Sequence, residues 1–318
     1  MTDEATRPMR LHWWVMESPA NGHDPVLLEE TLHWLNLRPG QVVVDCTLGR
    51  GGHALAMASR LGPEGLLIGL DVDPNNLEFA QQRLSGAACP VRLFHANFAE
   101  LRDVLAEVGR NEVSAILADL GISTNQLFDA RYGLSFGQSM ALDMRIDPRL
   151  RQSAADLVHS LKEEQLANVL YELAQERYSR RIARNIVEAR RVSPITTTER
   201  LADLVRQAYA GRGGSHERID PATRTFLALR MAVNEEIPNL RALLKEAPGF
   251  LGIGGRLAII SFQSTEDRLV KQAFRSAEQT GQVKILTNKP ICPTDAETSA
   301  NPRSRSSKLR VIEKMGRT

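Results

Sequence analysis

Short apolar runs alternate with helical segments along the first 121 residues of the chain. The runs are rich in Val, Ile and Leu and predict strands at Gln41 to Cys46, Gly65 to Asp73, Val91 to Asn97 and Val113 to Gly121. Each of the first three runs is followed by a stretch with helical spacing of its apolar residues. Strands and helices that alternate in this way predict a parallel sheet with helices on both faces.

The alternation stops after Gly121. Residues 122–152 have no clear period, and at about thirty residues this stretch is longer than an ordinary connection, which is typical of a functional loop. From Ser153 the pattern becomes helical, and four segments predict an all-α insertion. The pairs Ser153/Asp156 and Thr196/Glu199 have the spacing of capping boxes at the starts of two of these helices.

The α/β pattern returns at Asp220-Pro221, a good helix start. Residues 254–262 predict a fifth strand, and two more are predicted at residues 283–288 and 308–314. We therefore predict three parts of the chain: an N-terminal extension of residues 1–22, a discontinuous α/β domain of residues 23–138 and 215–318, and an inserted helical domain of residues 139–214.

Composition and charge indicate a globular protein that is not strongly basic. Hydrophobic residues make up 42% and charged residues 25%, as in an ordinary globular protein. The 40 Lys and Arg against 38 Asp and Glu leave a net charge of +2, so any nucleic-acid contact must come from local patches. The three cysteines have no CxxC spacing, which predicts that the protein has no disulfide and no metal site. No apolar run is long enough for a membrane span. We therefore predict a cytoplasmic protein.

A glycine loop follows the first predicted strand and opens a helix. Gly49 and Gly51 supply a turn for close backbone approach to a cofactor, and Asp71, 22 residues after Gly49, supplies a carboxylate for ribose hydroxyls. The spacing Gly49-x-Gly51-x-x-Ala54 also satisfies the dinucleotide fingerprint. A nicotinamide-dependent oxidoreductase therefore stays an alternative at this point.

Two further acids favour a different cofactor. Asp45 precedes the glycine loop and Asp119 ends the fourth predicted strand, and neither position belongs to the nicotinamide fingerprint. With Asp71, they give three acids at the ends of strands beside a glycine turn, which favours S-adenosyl-L-methionine. The other interpretation is that each acid caps a helix or stays solvated.

Six dispersed motifs resemble those of the bacterial 16S ribosomal RNA cytosine-N4 methyltransferases, the RsmH or MraW family. They are DCTLGRGGH (45–53), GLDVDP (69–74), DLGIS (119–123), LDMR (142–145), PATRTF (221–226) and NPRSRSSKLR (301–310). HDPVLLEE, from His23, resembles the opening segment of that family, and the match runs to about Lys314. The resemblance implies an α/β class I S-adenosylmethionine-dependent methyltransferase, with a Rossmann-like sheet and an inserted all-α domain.

The resemblance also implies a function and a set of cofactor contacts. The enzyme would methylate the exocyclic N4 amino group of a cytosine in 16S rRNA, within the small ribosomal subunit. The cofactor-binding residues, carried over position by position, would be Gly51, Gly52, His53, Asp71, Phe98, Asp119 and Gln126. Phe98 can offer an apolar face to adenine and Gln126 a donor and an acceptor. The alternatives are that Phe98 belongs to the core and that His53 only packs or caps.

Methyl transfer to an amino nitrogen needs alignment and hydrogen-bond acceptors rather than a metal or a strong base. Asp119, or a backbone carbonyl of residues 119–123, is the candidate acceptor. A base inside a helix cannot reach such a site, so the target would be single-stranded or flipped out. The loop of residues 122–152 offers groups that could hold a nucleotide, namely Phe128, Arg131, Tyr132, Phe136 and Arg145. The alternative is a packed lid without RNA contact.

Basic residues cluster in two places. Residues 177–191 hold six Arg, with Arg177, Arg181 and Arg184 near one helical face, and residues 301–318 hold six basic residues and one acid. Each cluster is a candidate phosphate-contacting strip, and each can equally be a solvated face. Departures from the family pattern, Gln263 among them, leave one more alternative: an rRNA-binding protein of the same fold without turnover.

Overall fold

The computed structural model describes residues 25–210 and 220–316. The predicted N-terminal extension at residues 1–22 and the loop at residues 211–218 lie outside the described residues.

Within these ranges, seven strands form one sheet in the order β3-β2-β1-β4-β5-β7-β6. The strands are β1 Val42–Asp45, β2 Leu66–Asp71, β3 Val91–His95, β4 Val113–Asp119, β5 Leu251–Ser261, β6 Val283–Ile285 and β7 Lys308–Lys314. Strands β1 to β5 pair in parallel, whereas β7 runs antiparallel to both β5 and β6. The strands predicted from the apolar runs are confirmed, with bounds that differ by a few residues.

Helices cover both faces of the sheet. They are α1 Leu28–Leu35, α2 Gly52–Leu61, α3 Pro74–Arg83, α4 Leu101–Val108, α11 Glu236–Glu246, α12 Ser264–Gln279 and the short α5 Thr124–Phe128 and α13 Asp295–Ala300. Successive side chains of a strand point to opposite faces; Val43 accordingly packs in one apolar cluster with α1 and α2, and Val44 in another with α4 and α11. Burial on both faces explains why these strands read as continuous apolar runs.

The four predicted helices of the insertion are also confirmed. They are α6 Ala154–Ser160, α7 Glu163–Ala174, α8 Ser179–Val192 and α9 Thr198–Tyr209. A third apolar cluster joins them to α10 Ala222–Val233, through Phe226 and Leu229, and to Tyr132 and Leu134 of the long loop. The domain bounds at residues 138 and 214 stay a prediction.

One of the two predicted capping boxes is present and the other is wrong. Ser153 Oγ accepts the N–H of Asp156 at 3.2 Å, and the Ser153 N–H donates to the Asp156 carboxylate at 2.8 Å. At α9 the cap is Thr197, whose Oγ1 accepts the N–H of Arg200 at 3.3 Å. Thr196 is still extended, because its carbonyl accepts the N–H of Leu142 at 2.9 Å; the helix therefore starts one residue later.

Much of the long loop of residues 122–152 is packed rather than open. Tyr132 is buried, Phe136 packs against Phe226 of α10 with ring centres 4.6 Å apart, and Arg145 donates to Asp143 at 2.7 Å. For these three side chains the structure agrees with the alternative of a packed segment. In the described ranges, no helix has the length and apolar character to cross a bilayer.

Candidate cofactor and active site

Three acids meet at one edge of the sheet. Asp45 ends β1, Asp71 ends β2 and Asp119 ends β4. Because β2, β1 and β4 are neighbouring parallel strands, their carboxyl ends lie side by side, and this edge is where open α/β sheets bind ligands. The structure thus brings together the acids that the sequence pattern singled out.

The glycine turn after β1 lies against the acid of β2. Gly49 and Gly51 have φ angles of 52° and 77°, in the left-handed region that glycine adopts without strain. The N–H of Gly49 donates to Asp71 Oδ2 at 2.7 Å. Gly52 begins α2, and a Cβ added there would lie 3.2 Å from the ring of Pro25. Backbone conformation and crowding therefore both favour glycine in this turn.

Asp71 is buried, and its two oxygens are partly used by the protein. Besides Gly49, it accepts the N–H of Asp73 at 2.8 Å. Burial raises the pKa of Asp71 to about 7, although these N–H groups oppose the rise. A carboxylate has about four acceptor sites, so Asp71 keeps capacity for the ribose hydroxyls that the resemblance assigns to it.

His53 lies among the acids of β1 and β4. Its Nε2 is 3.6 Å from Asp119 Oδ2. Burial raises the pKa of Asp45 to about 6, with His53 opposing and Asp119 adding to the rise. Thr47 ties the two strand ends together, because its N–H donates to Asp45 Oδ1 at 3.2 Å and its Oγ1 accepts the Asp119 N–H at 2.6 Å.

Four buried polar atoms of this group have no hydrogen-bond partner among the described residues: Asp45 Oδ2, Asp119 Oδ1 and both ring nitrogens of His53. Buried polar groups without partners are costly and mark places where a ligand or solvent completes the hydrogen bonding. S-adenosylmethionine fits here, because its ammonium group donates hydrogen bonds and its sulfonium carries a positive charge.

A polar hub that the sequence analysis missed lies at the start of α3. The fully buried Asp73 accepts from the N–H of Asn75 at 2.9 Å, from Gln126 Nε2 at 2.8 Å and from the Tyr132 hydroxyl at 2.7 Å. Burial, together with the bond to Asp73, raises the pKa of Tyr132. The hub therefore fastens the loop after β4 to the helix after β2. Its signal in the sequence was Asp73-Pro74, a typical helix start.

Gln126 lies at the same edge, with both ends of its amide in use. Its Oε1 accepts the N–H of Ser123 at 3.0 Å, while its Nε2 donates to Asp73. Phe98 begins a short 3₁₀ turn after β3 and is partly buried against the apolar cluster of α4 and α11. Both residues are thus placed near the other candidates, and their predicted contacts with the cofactor stay predictions.

The two basic clusters differ in how far their side chains are exposed. On α8, Ile182 and Ile186 are buried and Arg181 and Arg184 are exposed, as the predicted helix faces require, whereas Arg177 lies in the turn before the helix. An open groove of about 800 Å³ beside this helix is lined by Tyr171, Tyr178, Arg177, Arg180 and Arg181, among others.

The C-terminal cluster is partly exposed and partly buried, and its role as a phosphate-contacting strip stays a prediction. Arg310 is buried and donates to Asp267 at 2.7 Å, Lys308 lies 3.6 Å from the same carboxylate, and Lys314 donates to the carbonyl of Pro248 at 3.1 Å. The strand β7 is internal to the sheet, between β5 and β6, so most of its basic side chains pair with neighbouring elements.

The strand order, the antiparallel β7 and the acid-lined glycine turn define the fold of a class I S-adenosylmethionine-dependent methyltransferase. The model of the MraW methylase family matches residues 20–315. A protein of Acidobacterium capsulatum named ribosomal RNA small subunit methyltransferase H is 45% identical over 92% of this chain and 98% of its own length. The protein of the same name in Syntrophobacter fumaroxidans is 44% identical over 94% of this chain and 98% of its own length. The chain belongs to the MraW methylase family, which rules out the nicotinamide alternative.

Proposed function

We propose that the protein transfers the methyl group of S-adenosylmethionine to the exocyclic N4 of a cytosine in 16S rRNA, within the small ribosomal subunit of the cytoplasm. The observation that carries the proposal is the cluster of unpartnered buried polar atoms on Asp45, His53 and Asp119 beside the glycine turn. Membership of the MraW methylase family, whose curated relatives are named for the small-subunit rRNA, supports the choice of substrate.

When bound, S-adenosylmethionine supplies a methyl group on a positively charged sulfur. The residues that would hold it are Gly51, Gly52, His53, Asp71, Phe98, Asp119 and Gln126. The buried carboxylate of Asp45 and the partly buried carboxylate of Asp119 favour a positively charged group, because charges interact strongly where water is excluded. The site therefore favours the cofactor over its sulfide product, which has no charge on sulfur.

Asp119 is the group proposed to receive the cytosine amino group. Its side chain is 23% exposed, against 7% for His53, so a substrate can reach it from the edge of the sheet. Its Oδ1 is buried without a partner among the described residues and its backbone N–H is fixed by Thr47, so Oδ2 is the oxygen that a substrate can reach. An acceptor held in this way can grip an amino hydrogen and direct the nitrogen lone pair towards the methyl group.

The exposed face of α8 is proposed to contact the RNA. Tyr171 is 56% exposed beside Arg180 and Arg181 in the groove next to this helix. Exposed aromatic rings stack on bases, and arginines contact phosphates, so the groove suits a single-stranded segment of RNA. One RNA substrate would then contact both the groove and the edge of the sheet where the cofactor is proposed to bind.

The test is a methyl-transfer assay with purified protein, S-adenosylmethionine labelled in its methyl group and small subunits from cells that lack this modification. The account expects label in N4-methylcytidine after digestion of the 16S rRNA. Label in another nucleoside would contradict the proposed target atom. Binding to the subunit without any label would instead favour the alternative of an rRNA-binding protein without turnover.

A further inference from the structure

Arg303 reaches the active edge of the sheet from the C-terminal segment. Because β7 is antiparallel to β5, with Lys308 paired to Ser261, the residues just before Lys308 lie at the edge where β5 ends. There a 3₁₀ turn, Pro302–Ser306, carries Arg303. The turn lies on the β4 and β5 side of the edge, whereas the glycine turn lies on the β1 and β2 side.

The guanidinium of Arg303 is partly buried and has few partners. Its Nη1 donates to Thr124 Oγ1, at the start of α5. Within the described part of the chain, no carboxylate oxygen lies within 4.0 Å of its nitrogens, and its guanidinium makes no other hydrogen bond. A guanidinium carries five N–H donors, so most of its donors remain for a ligand.

Two other arginines of this region differ from Arg303, because each of them is paired with a carboxylate. Arg310 donates to Asp267 at 2.7 Å, and Arg230 donates to both oxygens of Glu236 at 2.7 and 2.9 Å. Burial and the nearby Arg230 lower the pKa of Arg303. A buried charge without a countercharge destabilises a protein, and an anion bound at this point would remove that cost.

We propose that Arg303, together with the hydroxyl of Thr124, binds a phosphate group of the RNA next to the target nucleotide. The inference rests on the proposed function, because it takes RNA as the substrate. Thr124 is five residues beyond Asp119 and follows the same strand, so the phosphate would lie beside the proposed amino acceptor. Arginine forms strong, charge-assisted bonds with phosphate oxygens. The carboxylate of the cofactor is the other oxyanion in the reaction, and the affinity for S-adenosylmethionine of an Arg303 variant distinguishes the two.

The test compares Arg303→Met with Arg305→Gln, a control on the same turn whose side chain is exposed. For Arg303→Met we expect the KM for small subunits to rise about tenfold or more, as the loss of a charged hydrogen bond implies. The slope of log affinity against log salt should fall by about one. The affinity for S-adenosylmethionine should not change. Arg305→Gln should change the KM much less.

Thermal unfolding of the free protein separates this role from a structural one. Removal of a buried unpaired charge should leave the Tm of Arg303→Met equal to or above that of the wild type. Inorganic phosphate should raise the Tm of the wild type but not that of the variant. Arg303→Lys, which keeps the charge but not the planar fork, should recover part of the RNA affinity.

Three results would overturn the inference. A lower Tm of Arg303→Met with an unchanged KM for small subunits would indicate a structural role. A weaker affinity for S-adenosylmethionine with an unchanged RNA affinity would indicate a role in cofactor binding. The third result is an RNA affinity that does not depend on residue 303. Direct RNA-binding measurements keep the two proposals apart. If the wild type binds RNA through Arg303 but transfers no methyl group, the proposed function fails and the phosphate site stands.

Discussion

The imidazole of His53 and the carboxylate of Asp119 approach to 3.6 Å, between Nε2 and Oδ2. The pair joins the first turn of α2 to the end of β4. Because both ring nitrogens and Asp119 Oδ1 lack hydrogen-bond partners among the described residues, the pair is prepared for a ligand rather than satisfied by the protein. The predictions below follow from this arrangement and from the contacts around it.

Asp119→Asn should lower kcat about a hundredfold, because the amide offers a weaker acceptor for the amino group and cannot take its proton. The KM for small subunits should stay within about threefold of the wild-type value if the group acts mainly in the transition state. The measurement is steady-state methyl transfer, with cofactor affinity measured separately by calorimetry. Full turnover with normal cofactor affinity would remove Asp119 from its proposed role.

The stability of the ligand-free protein should fall as the pH rises from about 4 to 7. Burial raises the pKa of Asp45 to about 6 and that of Asp71 to about 7, from an ordinary value of 3.8. In this window the folded state binds more protons than the unfolded state, so the free energy of unfolding decreases with pH. Thermal unfolding across this pH range measures the effect.

The matched variant for this pH dependence is Asp45→Asn. Its side-chain oxygen can still accept the N–H of Thr47, which donates at 3.2 Å in the structure. The fall in stability between about pH 4 and pH 6 should become shallower, because one of the carboxyl groups with a raised pKa is gone. An unchanged slope would show that Asp45 does not titrate in this window.

Affinity for S-adenosylmethionine should rise with pH as these carboxyl groups ionise. The cofactor is a cation at the sulfur, and an ionised carboxylate attracts it where a protonated one does not. Calorimetric titration at pH 5.5 and pH 8 tests the point, with the sulfide product, which keeps the ammonium group but has no charge on sulfur, as the comparison ligand. Equal pH dependence for both ligands would contradict attraction of the sulfonium charge as its origin.

Tyr132→Phe should lower the free energy of unfolding by about 1–2 kcal/mol, since it removes two hydrogen bonds of the hydroxyl. The hydroxyl donates to the buried carboxylate of Asp73 at 2.7 Å and accepts from Asn75 Nδ2 at 3.0 Å. Denaturant unfolding is the measurement, and Tyr171→Phe, at an exposed position, is the control that should leave stability unchanged. Equal stability of the two variants would mean that the hub does not fasten the loop.

Arg180→Gln and Arg181→Gln should each weaken binding of small subunits and reduce its salt dependence by about one in the slope of the log–log plot. The Tm and the cofactor affinity should not change, because both side chains are exposed. Arg60→Gln, exposed on α2 in the other part of the fold, is the control. Subunit affinity equal to that of the control would exclude the α8 face from the RNA interface.

The sequence predicted the sheet because its signals are local. Strands β1 and β4 are buried on both faces, so each reads as an apolar run, and each ends in an acid. The helix starts were predicted less well, since a threonine one position away can cap equally well. Thr197 is the cap because Thr196 is held extended by Leu142, more than fifty residues before it.

Long-range polar pairs could not be predicted in this way. Tyr132 and Asp73 are 59 residues apart, and Arg310 and Asp267 are 43 apart. Neither pair has a spacing that marks it, because the contact depends on how the strands are ordered in the sheet. For the same reason the sequence could not separate the buried Arg310 of β7 from the exposed Arg305 before it, because their exposure depends on how β7 pairs in the sheet.

The central claim is methylation of a cytosine amino group in 16S rRNA, and mass-spectrometric mapping of that rRNA tests it most directly. The rRNA should be compared between cells that lack this protein and cells in which it, or its Asp119→Asn variant, is restored. The account predicts one N4-methylated cytosine that is absent without the protein, returns with the wild type and stays low with the variant. An identical set of methylated cytosines in all three samples would contradict it.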